Sequence, residues 1–262
     1  MVAIITGASG AIGSATVRAF AARGTDVVLA AIESERETLE ALAAEARTKG
    51  VKALVVPTDV TKRVDIDRLV AMTIAQFGTV DVLANIAGIG SSPSLSDETD
   101  ENIERVFAIN LLGCARTMHA VLPMMIAKKK GAIVNIGSVA GEAAVMGVYS
   151  GSKFGLRGLN DSVRREVRMY GIGVTLIEPG FVRSPMNAAM GDGLPSPDIV
   201  ADAIVRAVDR PRRRIIVPKR YNVPVFFVKL FPGLVDLVFG DARIQDRLNR
   251  DAREARAAET RI

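Results

Sequence analysis

Short apolar runs alternate with longer amphipathic stretches over most of this chain of 262 residues. The runs are rich in valine and isoleucine and nearly unbroken, as strands buried on both faces of a sheet should be. Helices are expected in the stretches between them, and such alternation favours a parallel sheet covered on both faces. The pattern therefore predicts an α/β fold with a doubly wound parallel sheet. Its predicted strands are Val2–Thr6, Val27–Ala31, Ala53–Val56, Val80–Ala84, Ala132–Ile136, Val174–Glu178 and Ile215–Val217.

Two helices can be placed from local signals. Ser34 to Glu37 has the spacing of a capping box, which predicts a helix start, and Gly50 predicts the stop of the same helix. A second, long helix is predicted over Glu101–Met125.

The glycine-rich segment Thr6–Gly13 follows the first predicted strand and opens the next helix. In that position glycines give a tight turn, and the start of the helix offers unpaired N–H groups to an anion. A tight turn needed only for packing is the alternative. The strand–turn–helix context favours a phosphate of a dinucleotide and a Rossmann-type version of the doubly wound sheet.

Tyr149 and Lys153 are four residues apart, so on a helix they share one face. A phenol is a poor base at neutral pH, but a neighbouring cation favours its charged form and makes it more useful for proton transfer. Proton transfer beside a bound dinucleotide suggests hydride chemistry.

With both motifs in place, the chain resembles the single-domain short-chain dehydrogenase/reductase family from Val2 to about Pro218. Gly7 and Gly13 match the first and last glycines of its opening motif, whereas Ala11 stands where the middle glycine is usual. The resemblance implies a catalytic set of Asn110, Ser138, Tyr149 and Lys153. It also implies cofactor contacts from Gly7, Ser9, Gly10, Ala11, Ile12, Gly13, Ile32, Asp59, Val60, Asn85, Ala87, Gly88, Tyr149, Lys153, Pro179, Gly180, Val182 and Ser184.

In that family the tyrosine exchanges a proton with the substrate oxygen, the lysine holds the nicotinamide ribose, the serine bonds the same oxygen and the asparagine supports a proton relay. Taken alone, each of these four residues also has a structural interpretation. Asn110 could kink a helix and Ser138 could cap a turn, while Tyr149 could be a core aromatic and Lys153 a solvated lysine. Their occurrence in order favours the catalytic interpretation. The spacing from Ser138 to Tyr149 is shorter than usual, which predicts a reshaped pocket mouth at Glu142–Val148.

The end of the second strand usually decides between NAD and NADP, because a carboxylate binds the ribose hydroxyl and an arginine binds the phosphate. Here Ala31 and Ile32 are neither, position 10 is glycine, and Glu33 would repel a phosphate. NAD is therefore expected in preference to NADP. The alternative is that Glu33 only favours the start of the next helix.

Composition limits the kinds of ligand and partner that are expected for this chain. The net charge is +5 with a pI near 9.5, yet no base-reading motif accompanies it, so no nucleic acid is expected. The single cysteine, Cys114, excludes an internal disulfide framework and favours a cytoplasmic location. His119 has no second ligand at metal spacing, so no metal site is predicted.

Residues 1–220 are predicted to form the dinucleotide-binding and catalytic region, and 221–262 an apolar segment with a charged helical tail in the same domain. The segment Tyr221–Gly240 is expected to pack against the body as a pocket cover or in a subunit interface, with peripheral membrane contact beside Lys219 and Arg220 as the rival. The predicted activity is interconversion of a secondary alcohol and a ketone on a hydrophobic substrate, steroid-, retinoid- or lipid-like, by a homodimer or homotetramer. The alternatives are a 3-oxoacyl-thioester reductase and a non-catalytic dinucleotide-binding sensor or scaffold.

Overall fold

The computed structural model describes residues 1–92, 94–185, 187, 191 and 193–241. Its centre is a seven-stranded sheet in the order β3-β2-β1-β4-β5-β6-β7, with every neighbouring pair parallel. This topology confirms the predicted doubly wound sheet. The strands are β1 Val2–Thr6, β2 Asp26–Ala30, β3 Ala53–Val55, β4 Val82–Asn85, β5 Gly131–Ile136, β6 Ile172–Pro179 and β7 Arg214–Val217.

Helices cover both faces of the sheet, so the strands are apolar throughout, as expected for a two-sided core. One face packs against α1, α2 and α8, and the other against α3, α5 and α7. The helices are α1 Ala11–Ala22, α2 Arg36–Arg47, α3 Arg63–Phe77, α4 Asp100–Phe107, α5 Cys114–Ala127, α6 Ala140–Ala143, α7 Gly147–Glu166, α8 Asp198–Asp209, α9 Asn222–Leu230 and α10 Pro232–Phe239.

The predicted start of α2 was wrong. The capping box at Ser34 does not form, and a single 3₁₀ turn, Glu33–Glu35, precedes a helix that begins at Arg36 without a side-chain cap. Glu33 instead pairs with Arg36, with 2.5 Å between Oε1 and Nε. The helix ends at Arg47, and Gly50 follows in the left-handed region at φ +81°, as the sequence predicted.

The predicted long helix is present but is not uniform. Between α4 and α5 the six residues Ala108–Gly113 form a π-helical segment, which contains Asn110. The helical stretch 100–127 is the one among the described residues that is long and apolar enough to cross a membrane. Its inward side chains, Val106, Met118, Val121 and Met125, are packed in the core of the fold.

After β7 the chain turns into α9 and α10, which lie beyond the sheet. Val225 of α9 is buried, but five apolar side chains of this segment are at least half exposed, namely Val223, Phe226, Leu230, Phe231 and Leu237. These exposed side chains do not pack against the body of the single chain, and the predicted alternative, packing in a subunit interface, stays a prediction. The predicted charged tail lies outside the described residues, apart from Asp241.

Candidate active site

The carboxyl ends of β1 and β4 lie side by side at the point where the strand order reverses. In open parallel sheets this crevice is where ligands bind. Most residues that the sequence nominated follow the carboxyl ends of strands, because each motif comes directly after an apolar run. The parallel sheet brings these separate segments to a single edge.

The turn after β1 depends on its glycines. Gly7 has φ +65°, a backbone conformation that side chains rarely adopt, and a Cβ at this position would lie 2.7 Å from the Cα of Ala87. Gly13 sits against the Gly7 carbonyl with no room for a side chain. Gly10 is open by comparison, and Ala11 already begins α1. The replacement at position 11 therefore lies at the helix start and leaves the tight turn intact.

The start of α1 fits an anionic group. Its N-cap residue, Gly10, gives no side-chain cap, and no acidic residue occupies the first turn. The first N–H groups of a helix lack intrahelical partners and carry the positive end of the helix dipole. A cleft of about 600 Å³ opens beside this helix start, lined by Ala11, Ser14, Arg18, Arg183 and Ser184 among others. The residues present thus suit the pyrophosphate of a dinucleotide.

The turn after β4 is fixed to the turn after β1. Thr6 Oγ1 accepts hydrogen bonds from the N–H groups of Ile86 and Ala87, at 3.1 and 3.4 Å. Asn85, which the sequence assigned to the cofactor, directs its side chain inward. Its Nδ2 donates to Asn135 Oδ1 at 2.9 Å, and its Oδ1 accepts from Thr117 at 2.8 Å. The side chain of Asn85 therefore braces the sheet.

At the adenosine end, Ile32 is 49% exposed and follows β2 in extended conformation. The hydrogen bond from Arg36 lowers the pKa of Glu33, so the nearest cation is engaged by a neighbouring carboxylate. Burial would raise the pKa of Asp59, but hydrogen bonds from Thr61 hold it below its ordinary value. Val60 is buried against Gly113 in the π segment.

The loop after β6 closes the other end of the groove. The Pro179 carbonyl accepts from Val139 N–H at 3.0 Å, and Gly180 N–H donates to Val217 at 2.8 Å. The ring of Tyr221 lies directly against the Cα of Gly180, where no side chain would fit. Val182 is buried, and Ser184 lines the cleft beside α1. The segment beyond β7 thus contacts the loop that the family resemblance assigned to cofactor binding.

Tyr149 and Lys153 lie on the first turns of α7, with the Lys153 Nζ 5.7 Å from the centre of the tyrosine ring. Lys153 is 4% exposed and donates to the Ile136 carbonyl at 2.9 Å. It forms no ion pair within the described part of the chain. A Cβ on Gly88 would lie 3.2 Å from Lys153 Nζ and 3.2 Å from Asn110 Oδ1. Glycine at position 88 therefore lets the backbone after β4 approach both polar groups.

Asn110 is fully buried and holds the loop after β4 with both ends of its amide. Its Oδ1 accepts from Ile89 N–H at 2.9 Å, and its Nδ2 donates to the Ile89 carbonyl at 2.9 Å and to Ser152 Oγ at 3.1 Å. Ser152 in turn donates to the Tyr149 carbonyl. Because π segments interrupt the regular helical ladder and recur at functional sites, its position there is consistent with a functional role.

Ser138 follows β5 and stands at the start of α6, where its Oγ accepts from the Ala140 N–H at 3.1 Å. The Ala140 carbonyl accepts from Ser150, the neighbour of Tyr149, at 2.8 Å. A further bond runs from Tyr149 N–H to Ser91 Oγ at 3.0 Å. The short connection that the sequence predicted is a single turn of helix, α6, whose C-cap Ala144 adopts φ +54° before α7 begins at Gly147.

Sequence reasoning missed a charged cluster beside this site. Glu142 on α6 has a side chain with no solvent exposure, and three cations surround it. Its Oε1 lies 2.9 Å from Arg157 and 2.9 Å from Arg214, and its Oε2 lies 2.5 Å from Lys229 Nζ. The sequence offered one signal for this cluster: Lys229 is an isolated charged residue within an apolar run.

A second buried carboxyl, Glu178 of β6, belongs to the same cluster. Its Oε2 lies 3.2 Å from the Arg214 Nε. Burial, together with the neighbouring Glu142 carboxylate, raises the pKa of Glu178 to about 8. The protonated Glu178 can therefore donate to Glu142. Although burial alone would raise the pKa of Glu142, this hydrogen bond and the cations hold it well below its usual range.

Two further residues lie outside the site chemistry. Burial raises the pKa of the Cys114 thiol to about 11, so it stays protonated at neutral pH and is a poor nucleophile. His119 is on the surface, with Nδ1 2.9 Å from Arg63 Nη1.

Comparison with known proteins agrees with this geometry. The family model described as short chain dehydrogenase matches residues 1–194. An uncharacterized oxidoreductase of Staphylococcus haemolyticus is 34% identical over 215 residues, which cover 80% of this chain and 91% of the relative. A 3-oxoacyl-[acyl-carrier-protein] reductase of Synechocystis is 36% identical over 188 residues, covering 71% of this chain and 76% of the relative.

Among solved structures, an actinorhodin polyketide ketoreductase variant with NADPH aligns with a TM-score of 0.75 at 28% identity. The alignment covers 82% of this chain and 95% of that one. The sheet order, the glycine turn and the match over residues 1–194 together lead to one conclusion: this chain belongs to the short-chain dehydrogenase/reductase family and is an NAD(P)-dependent oxidoreductase.

Proposed function

We propose that this enzyme interconverts a secondary alcohol and a ketone, with Tyr149 as the proton-exchanging group. The observation that carries this proposal is Lys153, a buried cation that bonds a backbone carbonyl and lies beside the Tyr149 ring. A buried charge is costly unless it is paired. A cation kept in place without a carboxylate partner is therefore free to stabilise negative charge on a phenol or a ligand.

The roles follow from position. In the reducing direction the Tyr149 hydroxyl donates its proton to the substrate oxygen, and in the oxidising direction the phenolate accepts it. Lys153 stabilises the phenolate, and Ser138 donates to the same oxygen as charge develops on it. NAD(P), when bound along the glycine turn and α1, supplies or accepts the hydride.

Asn110 is a positioning residue in this scheme. Its side chain is occupied by Ile89 and Ser152, so it acts by holding the loop around Gly88 against Lys153. Because its side chain is engaged, Asn110 would bind a water through its main-chain groups. That water would pass protons from Lys153 towards solvent.

A hydrophobic substrate, steroid-, retinoid- or lipid-like, is favoured by the apolar segment that follows β7. The Tyr221 ring lies against Gly180, so the start of this segment is beside the loop after β6 that the resemblance assigned to the cofactor. The second candidate is reduction of a 3-oxoacyl thioester, which the reductase of Synechocystis favours by its name.

NAD is the proposed cofactor, since no cation occupies positions 10, 31 or 32 and Glu33 engages Arg36. The NADPH in the actinorhodin ketoreductase structure favours the opposite choice. We further propose a cytoplasmic homodimer or homotetramer.

The test is turnover against a panel of apolar secondary alcohols, ketones and a 3-oxoacyl thioester, with both cofactors. Tyr149→Phe should lower kcat by about 10²-fold or more on whichever substrate is found, because a general acid–base contributes on that scale. Its cofactor binding and melting temperature should match the wild type. Cofactor binding without turnover of any substrate would favour the non-catalytic sensor, and unchanged kcat in Tyr149→Phe would refute the mechanism.

A further inference from the structure

The apolar residues of α9 form a stripe that faces solvent. Val223, Phe226, Phe227 and Leu230 are spaced as one face of a helix, and they are 62%, 61%, 49% and 57% exposed. Phe231 continues the stripe, its ring stacked on that of Phe227 with centroids 6.3 Å apart. On α10, the apolar Leu237 is also exposed. A contiguous aromatic surface of this kind marks a binding site on a soluble domain.

The inward face of α9 makes one apolar and one charged contact with the body of the protein. Val225 is buried, and Lys229, one turn later, reaches the buried carboxylate of Glu142 on α6. Most of the large apolar side chains of α9 therefore lie on the face that points away from the body. The ion pair of Lys229 with Glu142 fixes the rotation of α9 about its axis, and this rotation directs the phenylalanines outward.

Positive charge lies at the beginning of the stripe. Lys219 and Arg220 form the exposed turn that precedes α9, and the Arg220 guanidinium stacks on Tyr221 at 5.4 Å. The whole chain carries a net charge of +5. A helix with exposed phenylalanine and leucine beside basic residues suits the interface of a bilayer that contains anionic lipid.

We propose that α9 and α10 form a docking surface for an anionic lipid bilayer. The phenylalanines and leucines would enter the acyl boundary, while Lys219 and Arg220 contact the headgroups. Because α9 packs on α6, which follows Ser138, and Tyr221 packs on Gly180, docking would place the site mouth near the membrane. The proposal does not rest on the reaction proposed above, since lipid binding is measured without turnover.

A second copy of the chain is the rival occupant. Two copies that met with their α9 helices parallel would bring their basic turns together, and like charges disfavour that arrangement. An anionic headgroup layer complements those charges. The charge distribution therefore favours lipid.

The experiment is co-sedimentation of the full chain with phosphatidylcholine vesicles, with and without phosphatidylglycerol, at about 0.1 M and about 1 M salt, where the Debye length falls from about 10 Å to about 3 Å. Binding should be several-fold stronger with phosphatidylglycerol and should weaken at high salt. Phe226→Gln with Phe227→Gln should lower binding by at least about tenfold, because each phenylalanine loses its buried area. Lys219→Gln with Arg220→Gln should abolish the preference for phosphatidylglycerol.

Met169→Gln is the matched control, because Met169 is 80% exposed, apolar and outside this segment. It should bind vesicles as the wild type does. Melting temperature and cofactor binding report whether each variant is folded. Three outcomes would overturn the proposal: no vesicle binding by the wild type, equal binding to both vesicle types, or a smaller oligomer on substitution of the phenylalanines without lipid. The last would assign the face to a second copy.

Discussion

Two lysines near the candidate active site differ in their surroundings: Lys153 is buried, whereas Lys229 is partly exposed and reaches a buried carboxylate. Lys153 on α7 donates to a backbone carbonyl and has no carboxylate partner in the described chain. Lys229 on α9 meets Glu142 at 2.5 Å in a cluster that also holds Arg157 and Arg214. One cation is left available, and the other is neutralised within a network.

The difference separates a chemical role from a structural one. An unpaired buried charge costs stability and persists where the surrounding fold can hold it, so it is a marker of function. A paired buried cluster fixes geometry, and removing one partner leaves an uncompensated charge. The two lysines therefore predict opposite responses to the same substitution.

Lys153→Met should give the largest effect. Loss of the cation next to Tyr149 should lower kcat by about 10³-fold, within the range of acid–base catalysis, while the melting temperature is kept or rises. Lys229→Met is the matched comparison and should keep kcat within a few-fold of wild type. Equal losses of kcat in the two variants would remove the distinction between the sites.

Glu142→Gln should lower the free energy of unfolding by about 3 kcal/mol, because Arg157, Arg214 and Lys229 lose their shared carboxylate. Urea denaturation measures this change. Glu45→Gln is the control, since the Glu45 pair with Arg18 is exposed on both sides and should contribute less than about 1 kcal/mol. A Glu142→Gln variant as stable as the control would show that the cluster does not support the fold.

The pH dependence of stability should report Glu178. Its pKa rises from the ordinary 4.5 to about 8, so the folded chain holds a proton that the unfolded chain releases. This contribution is fully present below about pH 4.5 and is lost as the pH rises through about 8. Unfolding free energy should fall across this window by up to about 1.4 kcal/mol per pH unit, and Glu178→Gln should flatten the slope. Identical pH profiles for the two proteins would contradict the raised pKa.

The smallest expected effect concerns the cofactor. Ile32→Arg should shift the ratio of kcat/KM for NADP over NAD upward by about tenfold, since the exposed position 32 would supply a phosphate partner. Steady-state kinetics with both cofactors measures it, with Ile32→Gln as the uncharged control. A wild-type preference for NADP would show that another cation, such as Arg36, reaches the phosphate.

The sheet could be predicted because its signals are local, and the candidate site residues were nominated from motifs that are equally local. Each strand is an apolar run of a few residues, and the glycine turn and Ser138 each follow one, while Tyr149 and Lys153 are recognised by their helical spacing. The start of α2 was misplaced because Glu33 found a partner in Arg36, which competed with the Ser34 cap. The inward turn of Asn85 depends on Asn135 and Thr117, which no short window contains.

The charged cluster could not be predicted for the same reason. Glu142, Arg157, Glu178, Arg214 and Lys229 come from five elements, and only the fold brings them together. Each alone has the composition of a solvated charge. The outward face of α9 was also inaccessible to pattern reasoning, because periodicity identifies an apolar face but not the direction in which it points.

The π segment between α4 and α5 changes the direction in which the side chains of α5 point relative to those of α4. One extra residue turns the following helix by about 100° relative to an unbroken α-helix. Without that rotation, the inward residues of α5 would leave the core, and Thr117 would no longer meet Asn85. The same inserted residue therefore sets the registration of α5 on the sheet and the aim of Asn110. A deletion that regularised the helix would disturb core and site in a single step.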